Sequence, residues 1–348
     1  MRNLLGDPTR FAPFLPRRLR LRCPRRWLAF GALVLGVAAA AGCGHALAGR
    51  SDQTFVNLPI ATAGGQQLWA DLAWDDGWRV QQHVWTGHAR LLDDRDVRRA
   101  WGGPDACLAK LERRRADGEA QSPRRDTVVL LHGLWRTRDS MAPLAAAFED
   151  AGFDVIDVAY PSTRGTIDEH AAQVARVLDR LPGAGRDVSF VTHSLGALVT
   201  RALLAREQDP WQARHRPHRA VFIAAPNGGS KMAREASRVP GAFKIYGEPA
   251  RELARATPGD LPPAPSIPFA TIAAVRGDGK GWNPLVPGDD DGVVGVNETR
   301  LAGETASLTV EGVHTFVMRD PAVARASVAF VTGAAARRPG SETLEPPR

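Results

Sequence analysis

The chain has 348 residues, 45 Lys and Arg against 38 Asp and Glu, a formal net charge of +7, and 44% hydrophobic residues. That apolar fraction excludes a wholly disordered chain, and the length suffices for one large domain or two smaller ones. Three Cys in 348 residues exclude a disulfide-stapled scaffold. The positive balance would suggest a nucleic-acid or anionic-membrane partner if it were spread over the chain. It is not spread. Eight Arg against the single acid Asp7 in residues 1–42 carry the whole excess, so residues 43–348 are formally neutral. The reading that follows is no nucleic-acid partner.

Residues 1–48 read as a signal peptide or membrane anchor. The Arg-rich stretch runs into WLAFGALVLGVAAAAGCGHALA (27–48), which carries no charged residue. Three fates are open. Ala46-Leu47-Ala48 fits a signal-peptidase site. Ala40-Ala41-Gly42-Cys43 approximates a lipobox, with Cys43 becoming a lipidated N-terminus. Left uncut, the run is long enough to cross a bilayer once, with the Arg cluster on the cytoplasmic side. Each fate predicts an exported body: a cell-envelope protein anchored or lipidated at its N-terminus, or a secreted one. Cys107 is then expected to be a small buried apolar residue without a disulfide partner.

Residues 49–125 are expected to form a lead-in packed on the main domain. Short apolar-aromatic runs (QLWADL at 67–72, GWRV at 77–80) suggest strands, and residues 95–115 read as an amphipathic helix interrupted at Gly102-Gly103-Pro104. Trp74, Trp78, Trp85 and Trp101 are expected to pack this segment onto the main domain. From 126 to 332 strand and helix alternate. TVVLL (127–131), DVIDV (154–158), VSFVT (188–192), AVFIA (220–224), FATIAAV (269–275) and residues 307–310 read as strands. The first of these, a continuous apolar run, marks a strand buried on both faces. Helices are expected over residues 166–181, 195–206 and 322–332, with another following Asp139 or Ser140. The prediction is an α/β fold, a mostly parallel central sheet with helices on both faces. A Gly-, Pro- and Ala-rich insertion forms a cap at about 230–268, in which AFKIY (242–246) would supply an apolar lip. Residues 333–348 are expected to be a disordered tail.

The chemistry centres on VTHSLGA (191–197), a serine at a strand-to-helix junction. This approximates G-x-S-x-G, the turn that lifts a nucleophilic Ser clear of the backbone. Thr192 stands where the first Gly is usual, and Gly196 fits. His132-Gly133-Leu134 follows the strand 127–131. The loop PGDDDGVV (287–294) offers carboxylates, and EGVHTF (311–316) places His314 on a turn before the last helix. A serine needs a base, and the base needs an orienting acid. Asp291 is the preferred acid and Asp290 the reserve. His215 and His218 precede a strand, the wrong end for a base. His132 is expected to shape its loop and His193 to be structural.

Taken together, LLHGL, VTHSLG, AAPNGGS (224–230), DDDGVV (289–294) and GVHTF (312–316), in that order, resemble an α/β-hydrolase of the lipase/esterase superfamily. The similarity is to the bacterial lipase-like branch related to GPI inositol-deacylases, and it covers about 127–332. It implies a Ser194–Asp291–His314 triad, oxyanion amides from Leu134 and Leu195, no cofactor and no metal. The activity implied is hydrolysis of carboxylic esters, lipid-like or hydrophobic, through an acyl-enzyme on Ser194. The same triad serves amidases, thioesterases and peptidases, and a non-catalytic envelope lipoprotein is a further reading. The lead-in at 49–125 lies outside the resemblance.

Overall fold

The computed structural model describes residues 60–61, 67–118, 126–257 and 259–334. The leader, including Cys43, and the tail from 335 onward lie outside the described residues. Among the described residues no helix is long and apolar enough to cross a membrane.

Two sheets organise the described chain. The larger has six strands: β6 (Asp126–Leu131), β7 (Asp154–Val158), β8 (Asp187–His193), β9 (Arg216–Ile223), β10 (Phe269–Val275) and β11 (Ala306–Glu311). Their spatial order is β11-β10-β9-β8-β6-β7, and every pairing is parallel. Side chains of successive strand residues point to opposite faces. In β6, Val129 and Leu131 therefore enter one core, with Phe190 and Phe222 of β8 and β9. Val128 and Leu130 enter the other, with Val191, Val221 and Ile223. The first core is closed by α3 (Ile167–Asp179), α4 (Leu195–Leu204) and Trp211 of α5 (Pro210–Arg214). The second is closed by α2 (Ala142–Asp150) and α8 (Pro321–Val331). The apolar runs are continuous because both faces are covered.

Helix α3 is specified locally. Ile167, Ala171, Val174, Val177 and Leu178 share its buried face, and Thr166 with Glu169 forms a complete capping box. Chain order places β6 beside both β7 and β8, so the winding direction of the sheet reverses there. A crevice opens at the carboxyl ends of strands at such a reversal. The loops after β6 and β8 carry His132–Leu134 and Ser194.

The second sheet is antiparallel, in the order β1-β5-β4-β3-β2. Its strands are β1 (Ile60–Ala61), β2 (Trp69–Asp75), β3 (Trp78–His83), β4 (Ala89–Leu92) and β5 (Val97–Gly102). With α1 (Pro104–Ala116) it has its own small core of Leu72, Val80, Leu91, Cys107 and Leu111. Burial raises the Cys107 thiol pKa to about 11. This region departs from the sequence expectation twice. Residues 97–102 are a strand, because the Arg-rich segment pairs with β4 and β1; only residues 104–116 are helical, starting at Pro104. Among the four Trp residues, Trp74 alone joins the core of the main sheet. Trp78 packs on the small core and Trp101 lies 4.1 Å from the His88 ring, whereas Trp85, though 65% exposed, meets the main domain through the Arg164 guanidinium 5.1 Å from its ring centre.

Strand β2 meets the main sheet beyond β7. The Asp71 amide donates to the Ala159 carbonyl (3.0 Å), and the Ala159 amide donates to Asp71 Oδ2 (2.7 Å). Gln173 Nε2 donates to both the Asp71 and the Ala159 carbonyls. Asp157 lies two residues before this junction. Burial pushes its carboxyl pKa up to about 8, against the pull of Arg138 and Arg79 and with help from Asp71 and Asp139. A folded-state pKa above the unfolded value gives a contribution that is fully present below about pH 4 and is lost as pH rises to about 8. Asp157→Asn is therefore expected to flatten the thermal stability profile. The Tm difference between pH 5 and pH 8.5 should shrink by about 4 °C or more, measured by differential scanning fluorimetry.

Candidate active site

Ser194 occupies the turn between β8 and α4 with φ 53° and ψ −119°, a conformation L-residues rarely adopt. The turn is held by the Ser194 amide, which donates to the Ile223 carbonyl (2.9 Å). Space for it comes from Gly196: a Cβ there would stand 2.5 Å from the Leu131 carbonyl oxygen. Thr192, where a Gly is usual, is fully buried in the ladder between Leu131 and Phe222. Its hydroxyl has no hydrogen-bond partner among the described residues. The side chain fits because it stands within the sheet, one residue before the chain bends away.

Three segments meet at Ser194. His314, on the turn after β11, places Nε2 3.0 Å from Ser194 Oγ and Nδ1 2.7 Å from Asp291 Oδ2. A carboxylate facing Nδ1 fixes the proton on that nitrogen and leaves Nε2 as the acceptor for the Ser194 hydroxyl. Asp291 is buried and tightly held. Its Oδ1 accepts from the Val293 and Val294 amides (2.9 and 2.7 Å), and its carbonyl accepts from the His314 amide (2.9 Å).

The other two aspartates of the run face elsewhere. Asp290 accepts from the Trp282, Asn283 and Gly292 amides, and Asp289 from those of Arg276, Gly277, Gly279 and Asp290. Both are committed to shaping the loop, whereas Asp291 alone reaches His314.

Gly133 lies against Ser194: a Cβ on it would be 3.0 Å from Ser194 Cβ and 2.8 Å from His193 Nδ1. The next amide, Leu134, belongs to a turn closed by the Arg136 amide donating to the Gly133 carbonyl (3.1 Å). Leu195 is the first residue of α4, where backbone N–H groups have no intrahelical acceptor and the helix dipole favours negative charge. The structure thus brings Leu134, Ser194, Leu195, Asp291 and His314 to one end of the sheet.

Two further histidines buttress the site. His132 stacks on Tyr160 (4.3 Å), its Nδ1 lies 2.9 Å from the Gly133 carbonyl, and its own carbonyl accepts from the Tyr160 hydroxyl. Burial lowers its pKa to about 4, so the ring is neutral. His193 does more than fill space: its Nε2 lies 3.1 Å from the His314 carbonyl, and the two rings are 4.8 Å apart. That carbonyl can only accept, so Nε2 carries the proton. Burial first, and the nearby His314 second, hold the His193 pKa well below the usual value. The sequence marked His193 as structural but carried no sign that it touches the turn bearing His314, which lies 121 residues away. His215 caps α5 just before β9 and His218 lies at the amino end of β9, the opposite end of the strand from Ser194.

The AAPNGGS segment anchors the insertion. Asn227 receives Arg201 on its carbonyl and Oδ1, and donates to the Thr299 carbonyl; Ser230 caps α6 (Lys231–Ala236). Beyond it, α7 (Ala242–Arg255) is broken at Gly247. Phe243, Lys244, Ile245, Gly247 and Glu248 line one side of a groove of roughly 600 Å³. Trp135, Thr163, Arg164 and Gly165 line the other. The groove thus adjoins the turn that carries the Leu134 amide. Trp135 is 52% exposed and has φ 59°, a strained value for a non-glycine that costs about 1–3 kcal/mol and persists only where its surroundings hold it.

Among known proteins, a family model described as a domain of unknown function (DUF7379) matches residues 110–259. No curated protein matches the chain. The chain is similar in structure to the mature lipase BlEst2 of Bacillus licheniformis: 18% identity, TM-score 0.43, 57% of this chain and 89% of that one. It is also similar to a hydrolase from Oleispira antarctica: 14% identity, TM-score 0.44, 61% and 93%. A third likeness is to an extracellular alpha/beta-hydrolase from a Paenibacillus species: 16% identity, TM-score 0.37, 59% and 98%. The six-stranded parallel sheet, its order and the strand–Ser–helix turn at its reversal define the architecture of this chain as the α/β-hydrolase fold.

Proposed function

We propose that this protein is a serine hydrolase that cleaves carboxylic esters through an acyl-enzyme on Ser194. One observation carries the reading: His314 bridges Ser194 Oγ and Asp291 Oδ2 at 3.0 and 2.7 Å. As Ser194 Oγ attacks the ester carbonyl, His314 Nε2 takes its proton, and Asp291 stabilises the resulting imidazolium. The Leu134 and Leu195 amides receive the tetrahedral oxyanion. His314 then protonates the leaving alkoxide. It next deprotonates a water that attacks the acyl carbon and releases Ser194.

A hydrophobic or lipid-like ester is supported by the groove and by exposed apolar side chains next to each part of the site. Trp135 follows Leu134, Val293 lies two residues past Asp291, and Phe316 lies two past His314; Ile245 and Tyr246 project from α7. The Arg-rich leader and its uncharged run support export and attachment to the envelope through the N-terminal segment or a lipidated Cys43. Kinship with the branch related to GPI inositol-deacylases rests on the five ordered motifs. A fluorophosphonate probe is expected to label the protein at Ser194, with the modified peptide identified by mass spectrometry. Absence of label on folded protein would remove the reading.

A further inference from the structure

A side chain at the start of the antiparallel sheet reaches the catalytic end of the molecule. Gln67, just before β2, reaches the loops after β6 and β7, 69 to 96 residues away in sequence. Its Nε2 donates to the Arg136 carbonyl (2.9 Å) and to Ser162 Oγ (3.1 Å). Its Oε1 accepts from the Thr163 amide (3.0 Å) and the Thr163 hydroxyl (3.1 Å). These partners fix the orientation of the carboxamide. Flipped, Oε1 would face the Arg136 carbonyl and Nε2 would face the Thr163 amide, two repulsive contacts. Ser162 Oγ in turn accepts from the Trp135 amide (3.1 Å).

Gln67 and Ser162 therefore grip the turn 133–136 at the Arg136 carbonyl and the Trp135 amide. That turn includes Trp135 in its left-handed conformation, which needs such external support. Gln67 itself is fixed because β2 is bonded to the chain just after β7 through Asp71 and Ala159.

We propose that Gln67 is a positioning residue for the oxyanion site: it holds the 133–136 turn so that the Leu134 amide points to where the oxyanion forms. This rests on the serine-hydrolase reading above. It gives the antiparallel sheet a role in turnover, although none of its residues touches Ser194, Asp291 or His314 in the interactions described. The hole must be in place before charge develops, and a displacement of about 1 Å can cost about 100-fold in rate.

The test uses the full chain, p-nitrophenyl butyrate and an alkylboronic acid, whose tetrahedral adduct on Ser194 places an oxygen in the hole. Gln67→Leu and Gln67→Glu both remove the donor to the Arg136 carbonyl. Each is expected to lower kcat about 10- to 100-fold with KM within about 2-fold, and to weaken the boronate by a similar factor. Ser162→Ala, which removes only the hydroxyl beneath Trp135, should give the same pattern at smaller amplitude and serves if the Gln67 variants fold poorly. A lowered Tm with unchanged kcat and unchanged boronate inhibition would overturn the proposal, leaving Gln67 a brace of the fold. So would a raised KM with unchanged kcat. Wild-type protein that neither hydrolyses the ester nor takes the fluorophosphonate label would instead show that the hydrolase reading itself had failed.

Discussion

Ser194→Ala is expected to lower kcat for hydrolysis of short p-nitrophenyl esters by about 10⁴- to 10⁶-fold, with KM changed by less than about 3-fold. The reason lies in the distances. The Ser194 hydroxyl lies 3.0 Å from His314 Nε2, so removing it deletes the proposed nucleophile and leaves the groove and the Leu134 and Leu195 amides intact. His314→Ala is expected to cause a loss of similar size, because Ser194 without a base is an ordinary alcohol. The double variant should be scarcely worse than either single one, since the two groups act in the same proton transfer. The residual rate would come from the amides and from substrate binding. Ala at φ 53° is no more strained than Ser, so Tm should stay within a few degrees. Ser194→Ala protein that keeps more than about 1% of wild-type turnover would sink the mechanism.

The second large effect separates adjacent aspartates. Asp291→Asn is expected to lower kcat about 10⁴-fold. Its Oδ1 can still accept from Val293 and Val294, so the turn persists. The new amide nitrogen faces His314 Nδ1, however, and forces the proton onto Nε2, the wrong tautomer for accepting from Ser194. Asp290→Asn should act the other way round. Asp290 accepts from the Trp282, Asn283 and Gly292 amides, and weaker hydrogen bonds there should lower Tm by several degrees while kcat falls less than about 10-fold. Kinetics and thermal melts on both variants decide the matter. A collapse of kcat in Asp290→Asn with near-normal Asp291→Asn would reverse the assignment.

Much of the parallel sheet was legible from local pattern. Val128–Leu131 is apolar without alternation because helices cover both of its faces, Val188–Thr192 is buried throughout for the same reason, and Leu195 onward switches to helical spacing at Ser194. The antiparallel sheet was harder to read. Residues 97–102 carry two Arg and lie partly exposed on a sheet with one solvated face, so their strand character depends on partners in β4 and β1. The Trp residues could not be assigned to a core by type alone. Trp74 and Trp85 are eleven residues apart in similar surroundings, yet one is 7% exposed and the other 65%.

The site divides in the same way. A serine at a strand-to-helix junction and a late histidine on a turn are local facts, readable from the chain because backbone geometry and residue order are local properties. Which of Asp289, Asp290 and Asp291 faces His314 is not local. It depends on the path of a loop held by backbone amides of residues 276–283, which turns two of the three carboxylates inward. The contact of His193 with the His314 carbonyl and the grip of Gln67 on the 133–136 turn span 121 and 69 residues. Hydrogen bonds of that reach leave no periodicity, spacing or composition behind them. Only the tertiary structure decides them, because they exist only once both sheets have brought their ends together.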